Sequence, residues 1–151
     1  MDQPIDLRNA AYHSIMHLPV LWGDQDALGH VNNTIPIRWF ESARIAYFEQ
    51  SGMDVLLEES QLGPILASIR CDYRRQLRYP DSVWIGAKVT RLGNSSLVMA
   101  HAVWSDQLQA IAAEGDSTIV VFDYAANQSR RIPGLVRGAI AAFEQRPELA
   151  E

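Results

Sequence analysis

The amino-acid sequence predicts an α+β fold in which an antiparallel sheet curls around one long helix. Apolar residues recur at every second position in five stretches, which indicates strands that each bury one face. One long segment is apolar well beyond a single stripe, as is typical of a helix enclosed by its fold. The last four strands follow one another through short turns, so we expect them to lie antiparallel.

Residues 1–151 are predicted to form one domain. A chain of 151 residues is long enough to bury a core, and its 48% hydrophobic content argues against disorder. The net charge of −5 and the lack of any run of Lys or Arg argue against nucleic acid as a partner. The single cysteine, Cys71, excludes an internal disulfide and fits a reducing compartment. Because we find neither a signal peptide nor a membrane-spanning apolar run, we expect a cytoplasmic protein with no membrane partner.

The first strand is predicted between His13 and Trp22, where apolar residues recur at every second position. Pro19 indicates an edge position or a strand end, because proline cannot donate a hydrogen bond to a neighbouring strand. The expected buried face consists of Met16, Leu18, Val20 and Trp22. A polar turn from Asp24 to Asn33 separates this strand from the next element.

A long helix is predicted from Thr34 to Gln50, with Gly52 after its end, where glycine is common. Asn32 or Asn33 is the predicted N-cap, because Asn side chains accept hydrogen bonds from the first free N–H groups of a helix. Pro36 falls in the first turn, where its missing N–H costs little. Three polar residues are spaced to form ion pairs on the side away from the core: Arg38, Glu41 and Arg44.

Four strands and a short helix follow. The second strand is expected to place five residues on one face: Ile65, Ala67, Ile69, Cys71 and Tyr73. The other strands are expected at Val83–Val89, Ser96–Trp104 and Gln109–Phe122, and the last helix at Pro133–Phe143. Gly93-Asn94 is a signal for a tight hairpin, and Gly115 is the expected site of a β-bulge.

The polar turn carries the residues best suited to chemistry. It brings two carboxylates, Asp24 and Asp26, close in sequence to His30 and to two amides, Asn32 and Asn33. A helix start leaves backbone N–H groups unpaired and carries a partial positive charge. A carboxylate held just before the helix can face whatever those N–H groups bind. This arrangement suits attack on a carbonyl, with a base or nucleophile on one side and oxyanion donors on the other.

Three segments of the chain carry a resemblance to a known family. The residues Gly23–Asn33 (GDQDALGHVNN) and Arg38–Arg44 (RWFESAR) resemble hotdog-fold acyl-CoA thioesterases of the hydroxybenzoyl-CoA thioesterase type. The segment Asp72–Asp81 (DYRRQLRYPD) is similar to the second signature of that family. With the later hairpin and the last strand, the resemblance covers about Ile15–Phe143.

The resemblance implies hydrolysis of an acyl-CoA thioester to a free carboxylic acid and coenzyme A, with neither a metal nor another cofactor. Asp26 maps onto the catalytic carboxylate of the family and acts as a nucleophile or as a general base for water. The helix-start amide of Asn33 maps onto the group that polarises the thioester carbonyl. Family members are dimers or tetramers with each site formed between two subunits, so we expect a homodimer or a homotetramer. Many relatives have an aromatic residue near the acyl pocket where this chain has Pro36.

Other residues of the expected site are assigned from their own chemistry. His30 either contacts water or substrate as part of the catalytic set or only packs at the helix entry, and Asn32 is both a capping and a substrate-binding candidate. The candidates for the phosphate side of coenzyme A are Arg91, Asn94, Ser95 and Ser96. Arginine suits phosphate, and this hairpin offers hydroxyl and backbone N–H donors beside it.

Two alternative functions stay open at this point. A thioesterase acting on acyl-carrier protein would use the same chemistry, but the weakly basic sequence argues against docking of an acidic carrier. A non-catalytic hotdog protein that binds acyl ligands would have no need of a carboxylate at Asp26. The chain has no Gly-x-Ser-x-Gly elbow, which argues against a serine hydrolase, and its histidines show no metal-ligand spacing.

Overall fold

The computed structural model describes residues 2–151 and confirms the predicted α+β hotdog architecture. The helices are α1 (Ile5–Asn9), α2 (Thr34–Ser51), α3 (Met53–Glu59) and α4 (Gly134–Glu144). The strands are β1 (Ser14–Pro19), β2 (Gly63–Tyr73), β3 (Ser82–Leu92), β4 (Ser96–Ser105), β5 (Ala110–Asp123) and β6 (Gln128–Ser129). The sheet order is β1-β3-β4-β5-β2 with every neighbouring pair antiparallel, and β6 pairs with the end of β5.

Helix α2 packs against one face of the sheet and forms the main core with it. Phe40 and Tyr47 of this helix are completely buried among apolar residues of the strands. Complete burial of a large apolar side chain stabilises a fold by about 1.5–3 kcal/mol. Gly52 adopts the left-handed conformation that ends the helix, with a φ of 78°. The helix therefore begins at Thr34 as predicted and ends at Ser51, one residue later than expected.

A buried hydrogen-bond network fixes α2 relative to α4 and β3. The hydroxyl of Tyr47 donates to Glu144 Oε2 at 2.6 Å, and the backbone N–H of Val89 donates to the same oxygen at 2.8 Å. Burial and the hydrogen bond to Glu144 raise the pKa of Tyr47 above its ordinary value, so its hydroxyl remains a donor. The three elements are thereby joined near the C-terminal end of α2.

The predicted ion pairs on α2 are wrong. Within residues 2–151, Arg38, Glu41 and Arg44 take part in no ion pair, and Arg44 is only 5% exposed. Arg44 follows Phe40 by four residues, so it shares the stripe of the helix that faces the sheet. Burial lowers the pKa of its guanidinium. The enclosed face of α2 is thus wide enough to include a charged residue.

Two strands differ from their predicted patterns. Strand β1 ends at Pro19 and the chain turns into a short 3-10 helix at Trp22–Asp24, which leaves Trp22 73% exposed. In β2 a register shift between Leu66 and Ser68 places the irregularity at Ala67. Because Ile65 lies before this irregularity, its side chain is on the opposite face of the sheet from that of Ile69. The predicted common face is right only for Ile69, Cys71 and Tyr73, which pair with Ser117, Gly115 and Ala113.

Gly115 has a different role from the bulge that the sequence predicts. It pairs in register with both Cys71 and His101. A Cβ atom at this position would lie 1.9 Å from the carbonyl oxygen of Arg70. Glycine is therefore required because two strands approach each other closely.

Two short helices were not predicted, because five and seven residues are too few to show a helical period. Helix α1 contributes Leu7 to a second cluster on the other face of the sheet, with Trp84, Ala102 and Trp104. Helix α3 follows α2 directly after Gly52 and adds Met53 and Leu57 to the main core. None of the helices within residues 2–151 is both long and apolar enough to span a membrane.

Candidate active site

A cleft of 390 Å³ opens where the polar turn meets the first turn of α2. The end of β2, the loop after it and the start of β5 form its other side. It is lined by Asp26, His30, Val31, Asn33, Pro36, Tyr73, Arg74, Arg75, Gln76, Leu77, Ala112 and Ala113. The three residues predicted to be catalytic, Asp26, His30 and Asn33, therefore share one cleft. Its volume is at the lower end of the range for small-molecule sites, about 300–1,000 Å³.

The polar turn holds the Asp26 carboxylate by hydrogen bonds within the turn. The backbone N–H of Asp26 donates to the carbonyl of His30 at 2.9 Å, and that of Gly29 donates to the carbonyl of Asp26 at 3.1 Å. Gly29 adopts a φ of 81°, which side chains other than glycine rarely adopt. Asp26 Oδ1 accepts from the N–H of Leu28 at 2.8 Å, whereas Oδ2 accepts no hydrogen bond within residues 2–151. One oxygen fixes the exposed side chain and the other is available to a ligand.

The helix start presents a free donor beside this carboxylate. Asn32 Oδ1 accepts hydrogen bonds from the backbone N–H and from the hydroxyl of Thr34, both at 2.9 Å, so Asn32 caps the helix. Asn33 already has helical geometry, with φ −58° and ψ −20°, and its side chain makes no capping bond. Across the part of the chain that the structure describes, its backbone N–H has no acceptor. The partial positive charge of the 18-residue helix α2 reinforces this donor.

Tyr73 holds the helix start against the sheet. Its hydroxyl donates to the carbonyl oxygen of Asn33. Partial burial raises the pKa of Tyr73 to about 12, so the hydroxyl keeps its proton at neutral pH. The backbone N–H of Val31 donates to the carbonyl of Leu77 at 2.8 Å, which ties the same turn to the loop after β2. The position of the Asn33 N–H is thus fixed from two sides.

His30 is held by an arginine. Its Nε2 lies 3.0 Å from Arg78 Nη2. A guanidinium only donates hydrogen bonds, so Nε2 is the acceptor in this contact. The contact therefore orients the imidazole at the edge of the cleft. His30 is only partly buried, and its role in catalysis stays a prediction.

The sequence did not assign roles to the residues that form the far side of the cleft. Ala112 and Ala113 are buried and small, and Leu77 is also buried. Tyr73 and Arg75 are exposed and lie in the second of the resembling segments. The resemblance of that segment to the family was the only sign in the sequence that these residues belong to the site. The fold shows that the segment contacts the polar turn, which lies more than forty residues earlier in the chain. Pro36 is buried in the cleft wall.

The residues predicted to bind the phosphates of coenzyme A lie elsewhere in this chain. Arg91, Asn94, Ser95 and Ser96 are in and beside the β3–β4 hairpin and do not line the cleft. Ser96 pairs with Val120, and a rise of about 3.3 Å per residue places Val120 roughly 20 Å along β5 from Ala113 of the cleft. The role of the four hairpin residues in binding coenzyme A stays a prediction, and so does the role of Asn32 in binding substrate.

No group of His, Cys, Asp and Glu side chains suited to a metal ion occurs within residues 2–151.

Cys71 lies on the core side of β2, and burial raises the pKa of its thiol. A thiol with a raised pKa is a weak nucleophile. Cys71 also does not line the cleft, and Asp26 stays the predicted nucleophile or base.

Solved structures of other proteins have the same architecture. A thioesterase from Thermus thermophilus, complexed with coenzyme A and Zn, is 32% identical with a TM-score of 0.78, covering 91% of this chain and 98% of that one. The PA2801 protein from Pseudomonas aeruginosa is 37% identical with a TM-score of 0.75, covering 86% of this chain and 99% of that one.

Sequence comparison gives the same family. The uncharacterized protein YsmA from Bacillus subtilis (strain 168) is 30% identical over 101 residues, which are 67% of each chain. The model of the thioesterase-like superfamily matches residues 20–143, which include the whole of the cleft. The chain therefore belongs to the thioesterase-like superfamily of hotdog-fold proteins.

Proposed function

We propose that this protein is an acyl-CoA thioesterase, which hydrolyses a thioester to a carboxylic acid and coenzyme A. The observation that carries the proposal is the pairing of two unoccupied groups in one cleft. Asp26 Oδ2 accepts no hydrogen bond, and the Asn33 N–H donates none, within residues 2–151. The relative complexed with coenzyme A supports an acyl-CoA as the substrate.

In the proposed reaction the thioester carbonyl oxygen accepts a hydrogen bond from the Asn33 N–H. This donor stabilises the negative charge that develops on the oxygen when the carbonyl carbon is attacked. The charge forms at the N-terminus of α2, where the helix dipole is favourable to an anion. Because a thioester is already activated toward attack, one carboxylate and one fixed donor suffice without a serine nucleophile.

Asp26 supplies either the nucleophile or the base. As a nucleophile, Oδ2 bonds to the carbonyl carbon, the carbon–sulfur bond breaks, and coenzyme A leaves as the thiolate. Water then attacks the resulting anhydride, which releases the carboxylic acid and regenerates the Asp26 carboxylate, and the second proton of that water goes to the thiolate. As a general base, Asp26 takes a proton from the attacking water and returns it to the leaving thiolate. Both routes consume one water and produce one acid and one thiol.

We further propose that the working unit is at least a homodimer. Strand β2 is at one edge of the sheet and also forms one wall of the cleft. An unpaired edge strand is a natural pairing site for a second copy, and two-fold symmetry closes such an assembly. Sedimentation at micromolar concentration is expected to give a dimer or a tetramer, and a monomer would contradict this proposal.

The test of the proposed activity is a hydrolysis screen with short, long and aromatic acyl-CoAs, in which release of the free thiol is measured. We expect saturable hydrolysis of at least one class. The same acyl groups on an acyl-carrier protein serve as the comparison. Turnover of the carrier-bound forms alone would contradict acyl-CoA as the substrate, and binding without turnover of any thioester would contradict an enzyme.

A further inference from the structure

Four arginines occur at the end of β2 and in the loop after it, and one of them differs from the rest. Three have partners: Arg70 with Asp116 at 2.7 Å, Arg74 with Glu114 at 3.1 Å, and Arg78 with His30 at 3.0 Å. The guanidinium of Arg75 makes no hydrogen bond or ion pair within residues 2–151. Arg75 is exposed and lines the same cleft as Asp26.

The strand geometry explains why Arg75 is on the cleft side. Asp72 pairs with Glu114 on the outer face of the sheet, and Arg74 reaches the same glutamate. Tyr73 is on the opposite face and contacts the helix start. The N–H groups of Arg74 and Arg75 both donate to the carbonyl of Ala112, at 2.8 and 3.0 Å, where β2 ends. Arg75 is thereby placed in the cleft as a cation that contacts no carboxylate within residues 2–151.

The size of the cleft limits which part of an acyl-CoA can meet this cation. Arg75 and Asn33 line one cleft of 390 Å³, which is the size of a site for a small acyl group. The pantetheine arm is uncharged, and the phosphates lie at its far end. With the thioester carbonyl at Asn33, the phosphates are a full pantetheine arm away from it, whereas the acyl group lies in the cleft that Arg75 lines.

We propose that the acyl group of the substrate carries a second carboxylate, which Arg75 binds. This inference rests on the proposed thioesterase function and names its substrate class. The apolar part of the wall, with Val31, Pro36 and Leu77, accommodates the carbon skeleton between the two ends of the acyl group. The guanidinium can bind the distal carboxylate through two parallel hydrogen bonds. Arg75 is then a determinant of specificity and not a catalytic residue.

The expected size of the effect follows from the strength of such a contact. A hydrogen bond between charged groups contributes roughly 10- to 100-fold to an equilibrium constant. The distal carboxylate is remote from the reacting carbonyl, so the contact is equally strong in the ground and transition states. Its loss should therefore appear mainly as a raised KM and less as a lowered kcat.

The experiment compares kcat/KM for two length-matched pairs, adipyl-CoA with hexanoyl-CoA and glutaryl-CoA with valeryl-CoA. The wild-type protein is expected to prefer the dicarboxylic member of at least one pair. Arg75→Gln should lower that preference roughly 10- to 100-fold. The control Arg70→Gln removes the same charge from β2, five residues earlier and outside the cleft, and should keep the wild-type preference.

The outcomes separate this inference from the proposed function. Hydrolysis of the monocarboxylic members with no preference for the dicarboxylic ones would overturn the inference and leave the thioesterase function standing. A preference that Arg75→Gln and Arg70→Gln reduce equally would also overturn it, because the effect would then be one of net charge. Failure to hydrolyse the four thioesters while another acyl-CoA of the screen is hydrolysed would overturn the inference alone, whereas failure on every thioester of the screen would contradict the proposed function itself.

Discussion

Acid sensitivity of the folded state is expected to come in large part from one buried histidine. His101 on β4 is 1% exposed and stacks on Phe40 of α2 with ring centroids 4.8 Å apart. Its Nε2 is 2.8 Å from the hydroxyl of Ser117 on β5. Burial, with a smaller contribution from the nearby Arg44 cation, lowers the pKa of His101 from 6.5 to about 3. Protonation of the folded protein at this position therefore requires strong acid.

The sign and the size of the effect follow from linkage. Between pH 6.5 and pH 3 the unfolded chain binds a proton at His101 and the folded chain does not, so the free energy of unfolding falls as the pH is lowered. The full pKa difference corresponds to about 5 kcal/mol at 1.36 kcal/mol per pH unit. From pH 7 to pH 5 the loss from this one group is about 2 kcal/mol. That is a large share of the typical 5–15 kcal/mol stability of a domain.

The assay is urea denaturation of the wild type and of His101→Gln at pH 7 and pH 5. Glutamine can keep a hydrogen bond to Ser117 but cannot take up the proton. We expect the pH-dependent loss of stability to be smaller in the variant by about 2 kcal/mol, whatever its stability at pH 7. His13→Gln, the same substitution at an exposed histidine, should retain the loss that His101 causes. Equal pH dependence in the wild type and in His101→Gln would refute the reasoning.

Three further perturbations have defined outcomes. Gly115→Ala should lower the free energy of unfolding by about 3 kcal/mol, because its Cβ would meet the Arg70 carbonyl, whereas Gly138→Ala, with open space around it, should not destabilise the fold. Pro36→Tyr should fill part of the cleft and change the ranking of acyl-CoAs by size, and an unchanged ranking would place Pro36 outside the acyl site. Arg91→Ala should raise KM more than it lowers kcat, and KM of the wild type should rise with salt concentration. An equal loss of kcat/KM on a thioester that lacks the nucleotide would exclude a phosphate contact.

The elements that the sequence predicts well are those whose signal is local. The helix α2 begins after a capping asparagine and ends at Ser51, and the left-handed geometry of Gly52 after it needs no information from the rest of the chain. The β3–β4 hairpin falls at Gly93, as expected from a turn dipeptide. The polar turn also has a local signal, since the hydrogen bonds that hold Asp24 and Asp26 join residues from Leu21 to Asn32.

The features that were missed depend on distant partners. The change of face at Ala67 arises from pairing with β5, so alternation within β2 cannot reveal it. The burial of Arg44 depends on which strands enclose the helix. The wall of the cleft forms because Tyr73 and Leu77 contact a turn that is far away in sequence. The spacing of Asp26 and Asn33 could be recognised from the sequence, but the residues that determine which acyl group fits beside them could not.

The most direct test of the proposed mechanism is kcat for Asp26→Asn with the best acyl-CoA of the screen. Asparagine can still accept the Leu28 hydrogen bond, so the turn should persist and the circular dichroism should remain native. The control is Asp123→Asn, since Asp123 also accepts backbone N–H groups in a turn, at 2.9 and 3.1 Å, but does not line the cleft. We predict that Asp26→Asn lowers kcat by about 10²- to 10⁴-fold while the control retains wild-type turnover. An Asp26→Asn protein with native circular dichroism and more than about a tenth of the wild-type kcat would contradict the assignment of this carboxylate.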